Sequence, residues 1–84
     1  MARPLISVTV RNRTGVVWEG EATSLSSWNK VGPFDILPRH ANFVSTVQKR
    51  LRLHKPDGLV EELNVESGLI HVYADKVTVF LGVV

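Results

Sequence analysis

The 84 residues contain no cysteine. That excludes disulfide staples and thiolate metal sites, and it suits a reducing compartment. No apolar run approaches the ~18 residues of a membrane span, and Met1-Ala2-Arg3-Pro4 opens no signal peptide. Amphipathic helical period is lacking, as are internal repeats, low-complexity stretches and linkers. The three histidines, His40, His54 and His71, stand too far apart for a metal-ligand motif. A net charge of +2 is too small to imply a nucleic-acid partner unless the charges cluster. The expectation is one small soluble intracellular domain spanning 1–84. At this size roughly 60% of the unfolded chain's surface is buried, so stability is modest.

Catalytic patterns are also missing. Ser7, Ser24, Ser26, Ser27, Ser45 and Ser67 lack the glycine context of a nucleophile elbow. Glu61 and Glu62 are adjacent, hence on opposite faces of a strand, and cannot converge as a general acid and base. No glycine-rich phosphate cradle with a following lysine occurs. No catalytic, cofactor or metal residue is assigned, and the expectation is a protein that is not an enzyme.

What is present is a series of short alternating runs organised around Gly32-Pro33-Phe34-Asp35-Ile36-Leu37-Pro38-Arg39-His40-Ala41. Phe34 and Ile36 alternate with polar neighbours as a short half-buried strand does. Pro38 fixes its own φ and keeps Leu37 extended, so the strand stops and the chain turns at Arg39-His40. His40 there either caps backbone groups or makes a subunit contact; spacing leaves both open.

Upstream, Ile6, Val8 and Val10 point one way and Ser7 and Thr9 the other, predicting a strand. Arg11 to Gly15 is a polar turn in which Asn12 and Gly15 can take positive φ. Val16 to Ala22 returns, with Gly20 marking a bulge or a close backbone approach. Thr23 to Ser27 is a weaker strand, and Trp28-Asn29-Lys30-Val31-Gly32-Pro33 reads as a loop. The Trp28 ring either folds back over the core edge or serves as a contact.

Downstream, Asn42 to Val47 and Gln48 to Lys55 are read as separate segments. Leu51 and Leu53 face inward there; Arg50, Arg52 and His54 face outward. These cations, with Lys49 and Lys55, form the one basic cluster. It lacks interleaved aromatics, so a solvated face fits better than a nucleic-acid stripe. Pro56-Asp57-Gly58 is a hairpin turn. Leu59 to Val65 returns, placing Glu61, Glu62 and Glu66 opposite the basic strand. Ser67-Gly68 reads as another turn. Leu69 to Tyr73 and Lys76 to Leu81 then form a last hairpin around Ala74-Asp75, with His71 read as a satisfied structural histidine. Short strands with turn signals every 8–12 residues or so predict an all-β sandwich.

Three blocks resemble a known family. Gly32 to Ala41 is similar to the hallmark of the epsilon subunit of the F-type, proton-driven rotary ATP synthase, in its N-terminal β-sandwich domain. That hallmark is a glycine, an aromatic or leucine, Ile-Leu-Pro, then Gly-His-Ala. Val17-Trp18-Glu19-Gly20-Glu21-Ala22 is similar to the family's second strand. Glu66-Ser67-Gly68-Leu69-Ile70-His71-Val72 with Lys76-Val77-Thr78-Val79-Phe80 resembles its closing hairpin. Asp35 and Arg39 stand where the hallmark has glycines, so the backbone there must accept a Cβ. Pro33 replaces a frequent acidic residue. The family's Lys-Pro-Gly turn is shortened to Gln48-Lys49-Arg50.

The resemblance implies a flattened β-sandwich of about ten short strands and a non-catalytic central-stalk role. By that role the domain joins the gamma shaft to the c-ring, on the cytoplasmic face of the membrane and held there through its partners only. Carried over by position, the gamma contacts would be Asn12, His40 and Ser45. The c-ring contacts would be Trp28, Asn29, Lys30, Val31, Gly32 and Pro33. The chain stops before the family's inhibitory helical hairpin, so the resemblance implies no gating of hydrolysis and no cofactor. An isolated domain with its partner-binding face bare is expected to dimerise through it. The alternative is a stand-alone β-sandwich adaptor derived from the same fold.

Overall fold

A computed structural model describes residues 4–39 and 42–82. Seven strands form one continuous sheet in the order β2-β1-β7-β6-β5-β3-β4. They are β1 (Ile6–Asn12), β2 (Gly15–Ala22), β3 (Ser24–Trp28), β4 (Pro33–Ile36), β5 (Phe43–His54), β6 (Val60–Tyr73) and β7 (Lys76–Leu81). All neighbours run antiparallel except β1 and β7, which are parallel. No helix occurs among the described residues.

One face of the sheet is buried along its whole length. Ile6, Val8 and Val10 of β1, Leu51 and Leu53 of β5, Ile70 and Val72 of β6, and Val77 and Val79 of β7 have almost no exposed surface. A flat sheet with no helix on it would leave those residues wet, so the sheet must cover itself. It folds into two layers with the apolar faces inward, as a sandwich does. The ring of Phe34 on β4 lies 5.6 Å from that of Phe43 at the start of β5. These two strands are not sheet neighbours, so the contact closes the sandwich between its layers.

The fold-over is made by the two longest strands. Here two pairs of segments read as separate are joined. Asn42–Val47 and Gln48–Lys55 merge into β5, and the runs on either side of Ser67-Gly68 merge into β6. Ser67-Gly68 is not a turn but a bend within a strand, opposite a register shift between Val47 and Lys49. Lys49 takes φ 72° there, the left-handed conformation that replaces the shortened turn. Gly68 is needed because a Cβ would meet the Phe80 carbonyl oxygen at 2.5 Å. A second shift, between Ser26 and Trp28 on β3, is bridged by the buried Ser27, whose hydroxyl donates to the Arg50 carbonyl at 2.9 Å.

The turns follow their chemistry. Ala74 and Asp75 both have positive φ (49° and 66°), as a two-residue turn matched to strand twist requires. Lys55 and Leu59 close the loop that holds Gly58 at φ 90°. At the β1–β2 turn Asn12 works through its side chain. Its Oδ1 accepts the Thr14 N–H at 2.9 Å, the Thr14 hydroxyl at 2.7 Å and the Gly15 N–H at 3.2 Å. Gly15 supplies the positive φ. Gly20 is neither a bulge nor a site of close backbone approach: it pairs regularly with Val8, and what lies over it is the Trp18 ring.

Candidate functional site

The two outer faces differ in chemistry. On the first layer the lateral pairs Val44–His71–Thr78 and Thr46–Leu69–Phe80 lie side by side on β5, β6 and β7. Laterally paired residues share a face, so Val44, Leu69 and Phe80 form an outward apolar patch with Tyr73 beside it. Val44 is 66% and Tyr73 59% exposed. His71 sits among them and is exposed. It is therefore not the internally satisfied histidine expected from its apolar strand, because the alternation that buries Ile70 and Val72 turns it outward.

The second layer's outer face is polar. Ser26 donates to Asp35 at 2.6 Å, and its hydroxyl lies 3.3 Å from His54 Nε2. The serine is in the middle of this trio, so no imidazole bridges a nucleophile to a carboxylate as acyl-transfer chemistry requires. Arg52 bonds Glu62 at 2.7 Å, Arg50 stands 4.0 Å from the same carboxylate, and Lys55 lies 3.7 Å from Glu61. The basic strand is thus offset by the acidic one, as the pattern predicts. Trp28 is not folded over the core: it points outward at the end of β3, under the Arg50 guanidinium, 5.3 Å from the ring centroid. An aromatic does therefore reach the basic cluster, brought there by the β3–β5 pairing.

The Arg52 hydrogen bond holds the Glu62 carboxyl below its ordinary 4.5. Loss of some water opposes this, and the charges of Arg52 and Arg50 add to it. A lowered carboxyl stabilises the fold above its ordinary titration range, and that contribution fades as pH falls through the folded-state value. Arg52→Ala should therefore raise the Glu62 titration midpoint, followed by carboxyl-carbon NMR. It should also flatten the loss of stability below pH 4.5. An unmoved midpoint would show that the hydrogen bond is not what lowers it.

Residues 28–33 are a hairpin rather than an unstructured loop. Trp28 pairs with Pro33, and Asn29 and Gly32 exchange backbone hydrogen bonds at 3.0 and 3.2 Å. The Asn29 Oδ1 accepts the Val31 and Gly32 N–H groups, so Lys30 and Val31 project at the tip, with Val31 97% exposed. Pro33 opens β4, an edge strand, where its missing N–H is harmless.

Asn29 donates through Nδ2 to the Ser45 hydroxyl at 3.1 Å. This joins one residue of the expected c-ring set to one of the expected gamma set. His40 lies outside the described residues. Its neighbour Arg39 has φ 62°, a left-handed conformation that glycine takes most readily and that an arginine holds here. The Arg39 N–H donates to the Asp75 carboxylate at 2.6 Å, and Ser7 N–H donates to the Asp75 carbonyl at 2.9 Å. Asn12 is at the other end of β1 from Ser7, about 16 Å away at ~3.3 Å per residue. Of the expected gamma set, Ser45 is level through Ile70 and Val79 with Val10, two residues from Asn12 along β1.

Asp75 escaped the sequence reading because its partner is 36 residues away. Asp75→Ala should destabilise by about 1–2 kcal/mol, through the lost hydrogen bond and the left-handed backbone. It should also speed amide exchange at Arg39. Asp75→Asn keeps an acceptor and tolerates that φ, so it should behave nearly as the parent. Equal effects of the two would place the stabilisation elsewhere.

The exposed apolar face and the projecting Lys30–Val31 tip are two surface features the fold presents outward. The family described as "ATP synthase, Delta/Epsilon chain, beta-sandwich domain" matches residues 5–83, and the chain belongs to it. It is 31% identical over 61 residues to the ATP synthase epsilon chain of Geotalea daltonii, covering 73% of this chain and 44% of that one. The chain thus spans less than half the length of this relative. Two solved structures share the fold. A chain of the Euglena gracilis mitochondrial ATP synthase (OSCP/F1/c-ring, rotational state 1) aligns with a TM-score of 0.85 at 15% identity, over 92% of this chain and 50% of that one. A chain of the Tetrahymena thermophila mitochondrial ATP synthase central stalk and c-ring aligns at 0.72 and 9% identity, over 96% and 66%.

Proposed function

We propose that this domain is the anchoring part of an epsilon-type central-stalk subunit in a rotary, proton-driven ATP synthase. It joins the gamma shaft to the c-ring without catalysing a reaction itself. The observation that carries this reading is the outward apolar patch of Val44, Leu69, Tyr73 and Phe80 on a domain of the epsilon family. Such a patch on a small domain marks a protein contact, and we assign it to the shaft. Asn12, His40 and Ser45, carried over by position from the family, would belong to the same shaft contact, Ser45 from the inward-facing side of β5. The Lys30–Val31 tip, stiffened by Asn29, would meet the polar loops of the ring. Membrane association would then be peripheral and cytoplasmic. No helix among the described residues is long and apolar enough to cross a membrane.

The test is a calorimetric titration against the gamma subunit from the same source. Submicromolar binding is expected. No heat at micromolar concentrations would overturn the shaft assignment and favour a free-standing adaptor of the same fold. Without the shaft the same patch would pair two copies weakly, which sedimentation would detect as a concentration-dependent mass.

A further inference from the structure

We propose that the β2 edge of the sheet accepts an added strand from a partner protein, a segment bearing basic residues at alternate positions. This surface is separate from the apolar face of β5, β6 and β7, and the proposal does not depend on shaft docking.

The sheet has two edges, β2 and β4, and they are protected differently. β4 has four residues and opens on Pro33, two standard defences against edge pairing. β2 has eight residues and contains no proline, lysine or arginine. A register shift at Val10/Arg11 disturbs only its first part, where Val16 and Val17 are exposed. From Trp18 to Ala22 the pairing with β1 is uninterrupted, so about five residues of regular edge remain, enough for a short added strand.

The side chains β2 turns outward along that stretch are Glu19 and Glu21, both exposed. Thr9 donates to Glu19 at 3.4 Å. Neither carboxylate is ion-paired among the described residues, whereas Glu61 and Glu62 both are. Two unneutralised charges at alternate positions select what can pair there. An antiparallel second copy centred on Gly20 would set Glu19 of each chain against Glu21 of the other, and like charges directly opposite are destabilising. Self-pairing in that register is thereby disfavoured. A strand with lysine or arginine at two alternate positions reverses the sign of both contacts. Its backbone would satisfy the edge groups while its charges choose the partner.

The experiment uses the full chain, isotope-labelled, and a capped decapeptide alternating lysine with valine and threonine. Saturable amide shifts and slowed hydrogen exchange confined to residues 18–22 and their β1 partners are expected. Glu19→Lys with Glu21→Lys should weaken that peptide at least tenfold or so, and should create binding to the same peptide with glutamate in place of lysine. Three results would each overturn the proposal: no saturation by about 2 mM, shifts centred on Glu61 and Glu62, or equal affinity of the charge-reversed protein. Salt-sensitive shifts without exchange protection would also overturn it, since they report loose charge attraction rather than an added strand.

Discussion

Gly68→Ala is expected to lower the melting temperature of this domain by roughly 12–24 °C. A Cβ at that position would stand 2.5 Å from the Phe80 carbonyl oxygen and 3.2 Å from Val47 Cγ2. The first neighbour is backbone, held in the β6–β7 ladder by the Leu69–Phe80 pair; it can move only by opening that ladder. Overpacking of a rigid site costs about 3 kcal/mol, and each kcal/mol shifts the melting point of a domain this small by roughly 4–8 °C. Gly20→Ala is the control. There the nearest atoms, at 3.0 Å and beyond, belong to the Trp18 ring, which can tilt away, so the loss should be under about 1 kcal/mol. Thermal unfolding of both variants decides the matter. Equal melting points would mean that the bend in β6 has more slack than the Phe80 contact implies.

Leu69→Ser combined with Phe80→Ser is expected to weaken gamma binding at least about a hundredfold while leaving the fold intact. Both side chains are more than a third exposed, so their removal costs the free domain little. At an interface, truncation of apolar anchors in a water-excluded centre commonly costs about 2 kcal/mol or more each. Arg50→Ala, on the opposite outer face over Trp28, should leave the affinity unchanged. The two titrations, run beside circular dichroism to confirm folding, separate the faces. If Arg50→Ala weakens binding and the double variant does not, the shaft docks on the polar face instead.

Much of the sandwich was legible in the sequence because its information is local. Alternation alone identified Val8 and Val10, Leu51 and Leu53, and Val77 and Val79 as inward. Turn chemistry located the hairpins at Asp57-Gly58 and Ala74-Asp75. The facing charges of Arg52 and Glu62 followed from the intervening hairpin, since a two-strand register can be counted outward from its turn. The Lys30–Val31 tip was visible as a polar interruption, though its hairpin geometry was not. Asn29's bonds to its own loop are short-range, but a turn and an irregular loop share that composition.

Tertiary structure decided the rest. Ser67-Gly68 has the composition of a turn and forms a bend inside a strand, because the close approach of Phe80 comes from β7 and not from its own neighbours. The outward direction of Trp28 depends on the register shift on β3, and the exposure of His71 on the outer side of β6 being uncovered among the described residues. Which carboxylate anchors Arg39 was settled by chain closure across 36 residues. The sequence by itself determined which side of each strand is apolar and where hairpins turn, both set by interactions within a few residues. The parallel pairing of β1 with β7, the folding of one sheet into two layers, and hence which exposed side chains share a face, arose only when distant segments met. Those contacts are chosen by packing and backbone hydrogen bonding over the whole domain.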